Sequence, residues 1–173
     1  MKNENPMNLK IRILQIDDVT SSYVEWYSND SVVRFSDNQY GNFTFEGQCE
    51  YINACLLDSN TDLYGIFDED FHIGNVVISG LDSIHKRANI SYVVGEISYW
   101  GRGVGMFAVS SMVRLAQKKY RLNKLIAGLA EGNIGSKKIL ERNGFFLEGR
   151  RIKHLIYNGE YHTQLDYGLI LGE

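Results

Sequence analysis

The segment with the most chemical content is Trp100-Gly101-Arg102-Gly103-Val104-Gly105. Glycines at alternate positions let the backbone turn tightly and come close to a ligand, because no Cβ stands in the way. Directly after them begins an apolar-to-small stripe, Val104, Phe107, Ala108, Ser111, Met112 and Leu115, whose period is that of a helix. The free N–H groups and positive end of such a helix attract a pyrophosphate, and Arg102 adds a charged donor at the same place. Glycine turns before helices are also common structural devices, so the spacing alone does not decide between anion site and turn. It does exclude a Walker loop, which needs Gly-Lys-Ser/Thr, and a dinucleotide fingerprint, which needs glycine where Met106 stands.

The elements that must position this segment can be read along the chain. Leu9 to Leu14 alternate as a first strand, preceded by the single proline, Pro6. Asp17 or Asp18 caps a helix carrying Tyr23, Val24, Trp26 and Tyr27, which runs out near Asn29-Asp30. An irregular aromatic stretch follows, then a second helix from Glu46 to Leu57 with Thr44 as its cap. Three strands are predicted at Asp62 to Phe67, His72 to Ser79 and Ala88 to Gly95, the first two joined through Asp68-Glu69-Asp70 as a hairpin. The glycine-led helix runs from Gly103 to about Tyr120, followed by a strand over Lys124 to Ala130 and a helix over Ile134 to Arg142. Asn143-Gly144 supplies the left-handed stop that helix ends favour. Phe145 to Tyr157 and Glu160 to Leu171 flank Asn158-Gly159, a strong hairpin signal. The order is strand, two helices, three strands, helix, strand, helix, two strands: a mixed α/β (α+β) layout with one βαβ crossover near its middle.

With 173 residues and 44% hydrophobic content the chain is expected to form one domain, 1–173. A net charge of -3 offers no basic field for nucleic acid. No apolar stretch is long enough for a membrane span and the N-terminus is polar, so a cytoplasmic protein is expected. Cys49 and Cys55 match neither a redox pair nor a zinc set, and His154 and His162 lack a third ligand, so no metal is expected.

Read together with its neighbours, the glycine segment resembles the GNAT acetyltransferase superfamily, and more closely its branch of ribosomal-protein N-terminal acetyltransferases and related small-molecule enzymes. The resemblance is carried by Ile73-Gly74-Asn75, Ile84-His85, Ala88-Asn89-Ile90-Ser91-Tyr92, Trp100 to Gly105, Asn133-x-x-Ser136-x-x-x-Leu140-Glu141-x-x-Gly144-Phe145 and the Asn158-Gly159-Glu160-Tyr161 hairpin. It implies a mostly antiparallel seven-stranded sheet, splayed after the fourth strand and flanked by about four helices. It also implies acetyl-CoA as co-substrate, its pantetheine arm lying in the gap as a pseudo-strand. Val93, Val94 and Gly95 would then offer backbone groups to the acetyl carbonyl and the arm, and Arg102, Gly103, Val104, Gly105 and Met106 would hold the pyrophosphate. Asn133 and Ser136 would meet the arm from the other side. Lys137, Lys138 and Arg142 either greet the 3'-phosphate or form a solvated face.

Acetyl transfer to an amine sets requirements of its own. An aliphatic amine with a pKa near ~10 must lose a proton before it attacks, the carbonyl oxygen needs an N–H donor, and the leaving sulfur benefits from an acid. The tyrosine acid usual in the family, seven residues after the motif asparagine, is Leu140 here, and Ser136 stands where the resembling branch has a serine proposed for that role. The strand glutamate of that branch is replaced by Asn89. Glu131, Glu96 and His85 remain as bases, or a water chain ordered by Asn89 or Tyr92. Trp26, Phe35, Tyr40, His85 and Tyr92 are the residues expected at the acceptor. The acceptor is then a small-molecule amine, such as a nucleotide-linked amino sugar or a polyamine, or a protein N-terminus. The alternative is a catalytically inactive acyl-CoA sensor, and the resemblance leaves open a homodimer.

Overall fold

The computed structural model describes residues 7–172; Pro6 lies outside them. The first strand, β1 (Leu9–Ile13), leads into a short 3-10 turn at Ile16–Asp18. Helix α1 starts only at Ser21 and ends at Trp26, capped by Thr20, whose side chain accepts from the Tyr23 N–H. The expected aspartate cap fails because the Asp18 carboxylate is already engaged, by both Arg12 guanidinium nitrogens at 2.6 Å and by the Gln15 N–H. A separate one-turn helix, α2 (Asp30–Val33), follows with Asn29 as cap, and then a 3-10 turn at Asp37–Tyr40. Helix α3 (Phe45–Leu57) is capped by Thr44, which accepts from the Gly47 N–H.

The strands β2 (Thr61–Asp68) and β3 (Phe71–Asp82) form the expected hairpin, its turn residue Glu69 at φ 54. Then come β4 (Arg87–Val94), α4 (Val104–Lys118), β5 (Lys124–Ala130), α5 (Ile134–Arg142), β6 (Phe146–Tyr157) and β7 (Glu160–Ile170). Gly144 takes φ 86 after α5, and Asn158 (φ 51) with Gly159 (φ 78) makes the β6–β7 turn. The described residues hold five helices rather than about four, because the chain before α3 breaks into two short pieces instead of one longer helix.

One seven-stranded sheet runs β1-β2-β3-β4-β5-β7-β6, with every neighbouring pair antiparallel except β4 and β5. The α+β fold class and the sheet topology are those expected. Both faces carry a core, which is why β2 reads as a continuous apolar run. Tyr64, Ile66, Val76, Ile78 and Ile90 pack against Val104, Ala108, Val109 and Met112 of α4 on one face. Leu63 and Phe67 pack with Tyr23, Trp26 and Ile52 of α1 and α3 on the other. No helix among the described residues is long and apolar enough to cross a membrane.

The parallel pair is what opens the molecule. β4 and β5 pair only from Arg87↔Lys124 to Asn89↔Ile126, after which the two strands diverge. From Ile90 to Val94 that side of β4 has no neighbouring strand, and α4 and α5 begin at the mouth of the gap.

Candidate functional site

The gap and the loops around it form a cavity of about 930 Å³. Which backbone groups face it follows from strand alternation. Val93 pairs opposite Asn75, and the Gly95 N–H donates to the Ile73 carbonyl at 3.0 Å, so odd-numbered residues direct their peptide groups toward β3. The Lys86 carbonyl accepts from Lys124 N–H at 3.1 Å, which sets the even-numbered residues toward β5. Ile90, Tyr92 and Val94 therefore turn their peptide groups into the gap. The Val94 carbonyl is already bonded there, accepting from the Trp100 indole N–H at 2.8 Å. Of the three backbone positions expected to serve the arm, Val94 faces the gap. Val93 and Gly95 are corrected: the Val93 peptide faces β3, leaving its side chain at the cavity wall, and Gly95 exists for packing. A Cβ on Gly95 would stand 1.9 Å from Trp26 Cδ2.

The glycine loop delivers unpaired donors to the same cavity. Gly101 (φ 76) and Gly103 (φ 89) adopt left-handed backbone, and a Cβ on either would meet nothing within 4 Å. The first intrahelical bond of α4 is Phe107 N–H to Gly103 carbonyl, and no side chain caps the helix. The N–H groups of Val104, Gly105 and Met106 thus point out of the helix end with its partial positive charge, and all three residues line the cavity with Gly103. Arg102 departs from expectation. Its N–H turns back to the Tyr99 carbonyl at 3.4 Å, its guanidinium lies 4.9 Å above the Tyr99 ring, and it does not line the cavity. Gly105 has a packing reason as well: a Cβ would stand 2.7 Å from Ile139 Cδ1.

Across the gap, Asn133 caps α5, its Oδ1 accepting from Ser136 N–H at 3.1 Å. Both residues line the cavity, as do Lys138 and Arg142 of the same helix. Tyr92 reaches toward them from β4. Its hydroxyl is shielded from solvent and has no hydrogen-bond partner. Burial pushes the phenol above its ordinary pKa, and Ser136 partly offsets that rise.

The carboxylates proposed as bases are tied elsewhere. Glu131 is exposed, accepts from Arg150 at 2.6 Å and does not line the cavity. Glu96 accepts from the Trp26 indole at 2.9 Å and from the Ser22 hydroxyl at 2.7 Å, anchoring α1 to the end of β4. Asn89 is exposed opposite Ser79, at the closed end of the gap, and lines no part of the cavity. His85 lies in the exposed turn before β4, its N–H bonded to the Asp82 carboxylate at 2.8 Å.

On the outer side of the sheet, Phe35 lines the cavity and packs edge-on against His162. Trp26 does not line it: the residue is 4% exposed and lies against Tyr23 and His72. Tyr40 is 63% exposed and donates its hydroxyl to the Ile156 carbonyl, outside the main cavity. Residues that the sequence left without a role are Arg34, Asp37, Tyr51, Asn75 and Ser91, all on the cavity wall. Ser91 and Asn75 had a usable signal, since alternation puts Ser91 on the same face as Val93, which pairs with Asn75. The α2 region had none, because its loops follow no period. Behind Asn75, the His72 Nε2 donates to the Asn75 Oδ1 at 2.8 Å and the Gly74 carbonyl at 3.0 Å, and burial lowers the imidazole pKa.

Residues 8–146 match the family model described as acetyltransferase (GNAT) domain. The putative ribosomal N-acetyltransferase YdaF of Bacillus subtilis is 29% identical over 100 residues, covering 58% of this chain and 54% of that protein. The chain thus spans about half the length of that relative. The probable N-acetyltransferase YjcK of the same organism is 28% identical over 162 residues, 86% of each chain. Among solved structures, spermidine N-acetyltransferase from Vibrio cholerae in complex with CoA and spermine superposes with a TM-score of 0.84 at 18% identity, over 94% of this chain and 95% of that one.

Proposed function

The chain belongs to the acetyltransferase (GNAT) domain family, and from that premise we propose that it transfers the acetyl group of acetyl-CoA to a primary amine. The observation that carries this reading is the conjunction of an unpaired β4 edge with an uncapped α4 N-terminus in one cavity. An extended amide-bearing arm fits the first, and a diphosphate fits the second. Bound there, acetyl-CoA supplies an activated acyl carbon and a thiolate leaving group.

The chain's residues act around that carbon. Val104, Gly105 and Met106 hold the diphosphate through their N–H groups, and Lys138 and Arg142 add positive charge on the same side. Val94 N–H is the donor for the carbonyl oxygen, and a single donor of this kind is worth roughly 10²- to 10³-fold in rate. Asn133 holds the start of α5, and with it Ser136, against the arm. Neither Glu96 nor Glu131 lines the cavity, so the amine loses its proton to water within it.

The acceptor side favours an amine on a neutral or anionic carrier. Asp37 is the one carboxylate among the cavity-lining residues described, and Arg34 stands beside it. A polyamine carries several cations and would meet a single counter-charge, Asp37, with the cationic Arg34 close to it in the chain. An amino sugar attached to a nucleotide places one amine toward Asp37 and its phosphates toward Arg34. A free-thiol release assay over nucleotide-linked amino sugars, polyamines, aminoglycosides and short peptides tests this, with turnover expected for the first class and least for polyamines. Acetyl-CoA binding with no thiol released by any amine would instead mark an acyl-CoA sensor.

A further inference from the structure

α5 presents no phenol to the gap. Leu140, where the family's usual acid would stand, is 2% exposed and part of the apolar core. β4 presents one instead. The Tyr92 ring lies against the first turn of α4, its Cε2 3.5 Å from where a Cβ on Gly105 would be. Its hydroxyl is buried without any partner. An unpaired buried hydroxyl costs about 1–3 kcal/mol, a cost that phenylalanine would avoid at this position. Val94, whose N–H faces the gap, is two residues further along the same edge, about 7 Å on. Tyr92, the Val94 N–H donor and, from α5, Ser136 thus border one cavity.

We infer that Tyr92 is the acid that protonates the departing sulfur, its hydroxyl unpartnered in the free protein and oriented by Ser136 once the substrates are bound. The assignment rests on the acetyltransferase reading above. As the amine nitrogen bonds to the acetyl carbon, the carbon–sulfur bond breaks and its electron pair stays on sulfur, which takes the Tyr92 proton and leaves as a free thiol. The proton that nitrogen sheds in becoming an amide returns to the phenolate through cavity water, so no outside acid is consumed. Burial keeps the phenol protonated throughout the neutral range.

Tyr92→Phe, Ser136→Ala and the double variant test the assignment by three measurements. Melting of the free protein should show Tyr92→Phe no less stable than wild type, since the deleted hydroxyl has no partner. Calorimetric affinity for acetyl-CoA should be unchanged in Tyr92→Phe. Thiol release with an accepted amine should fall about 10²-fold in kcat for Tyr92→Phe, the usual size of a general acid's contribution, with KM held. Ser136→Ala should lose less, and the double variant should be no slower than Tyr92→Phe alone, because both residues serve one proton transfer. Wild-type kcat in Tyr92→Phe, or a parallel loss of acetyl-CoA affinity, would overturn the assignment alone. A wild-type protein that binds acetyl-CoA and never releases thiol would overturn the acetyltransferase reading and the assignment with it.

Discussion

Replacing Gly103 by valine separates the strain of the glycine loop from its use. Gly103 sits at φ 89, ψ 1, immediately before α4. A β-branched residue in that conformation costs about 1–3 kcal/mol. An added Cβ meets nothing within 4 Å, so no further cost arises from packing against the protein. At roughly 2–4 °C per kcal/mol for a chain of this size, Tm should fall by about 2–12 °C. The open space that spares the protein is the space assigned to the diphosphate. Valine there either crowds the phosphates or, by relaxing φ, turns the Val104 N–H away from them. Loss of one charge-assisted N–H bond costs about 1.5–3 kcal/mol, which is roughly 10- to 150-fold in affinity. Gly159→Val is the matched control, since Gly159 has φ 78, equally open surroundings and a place at the β6–β7 turn. It should lose similar stability and keep its affinity. Calorimetric titration of both variants with acetyl-CoA decides the matter, and equal affinities would refute the loop assignment.

Two further perturbations address residues that the fold has reassigned. Glu96→Ala strips partners from the Trp26 indole and the Ser22 hydroxyl and should cost about 1–3 kcal/mol in urea unfolding, whereas Glu131→Ala breaks an exposed pair with Arg150 and should cost under about 1 kcal/mol. Glu131→Ala should also keep its turnover, and a tenfold loss there would restore Glu131 as a base. Stability against pH should register His72. Burial holds its folded pKa below the ordinary 6.5, so the unfolded chain binds more protons as pH falls through that value. Stability is therefore full above it and declines below it, by at most about 1.4 kcal/mol per pH unit. Asp18 and Asp62, held below 3.8 in the fold, act in a separate and more acid window. Urea midpoints from pH 7.5 to 5 should slope for wild type and flatten in His72→Phe, and parallel slopes would remove His72 as the source.

The parts of the fold legible in the sequence were those whose signal is local. Thr44 before α3 and Asn158-Gly159 between β6 and β7 specify their geometry through their own side chains or backbone freedom. The cap on Asp17 or Asp18 failed because Arg12, six residues earlier on β1, takes the Asp18 carboxylate first, a pairing that a cap pattern does not register. The site divides along the same line. Unpaired N–H groups at α4 follow from the glycines themselves, so the donors proposed to hold a diphosphate were readable apart from Arg102. The chemistry was not, because Glu96 and Glu131 qualify as bases by residue type and are disqualified only by partners 70 and 19 positions distant.

The same reasoning explains why the sequence places Tyr92 at the acceptor or on a water chain and not as the acid. Its strand neighbours Ala88 and Ile90 are buried at 1% and 4%, and the alternation alone does not tell where a tyrosine that follows them sends its hydroxyl. What distinguishes it is a divergence of strands: β5 stays beside β4 through Asn89 and then leaves. Beyond that point the alternation that buries Ala88 and Ile90 carries the next side chain to the lip of a cavity instead of into a packed interior. The place where a parallel pair parts thus converts a core position into one that lines the cavity without any change in pattern. It also sets which peptide groups are free, since Val94 N–H has no acceptor strand for the same reason that Tyr92 has no hydroxyl partner. A substitution that re-extended the β4–β5 pairing past Asn89 would close both at once.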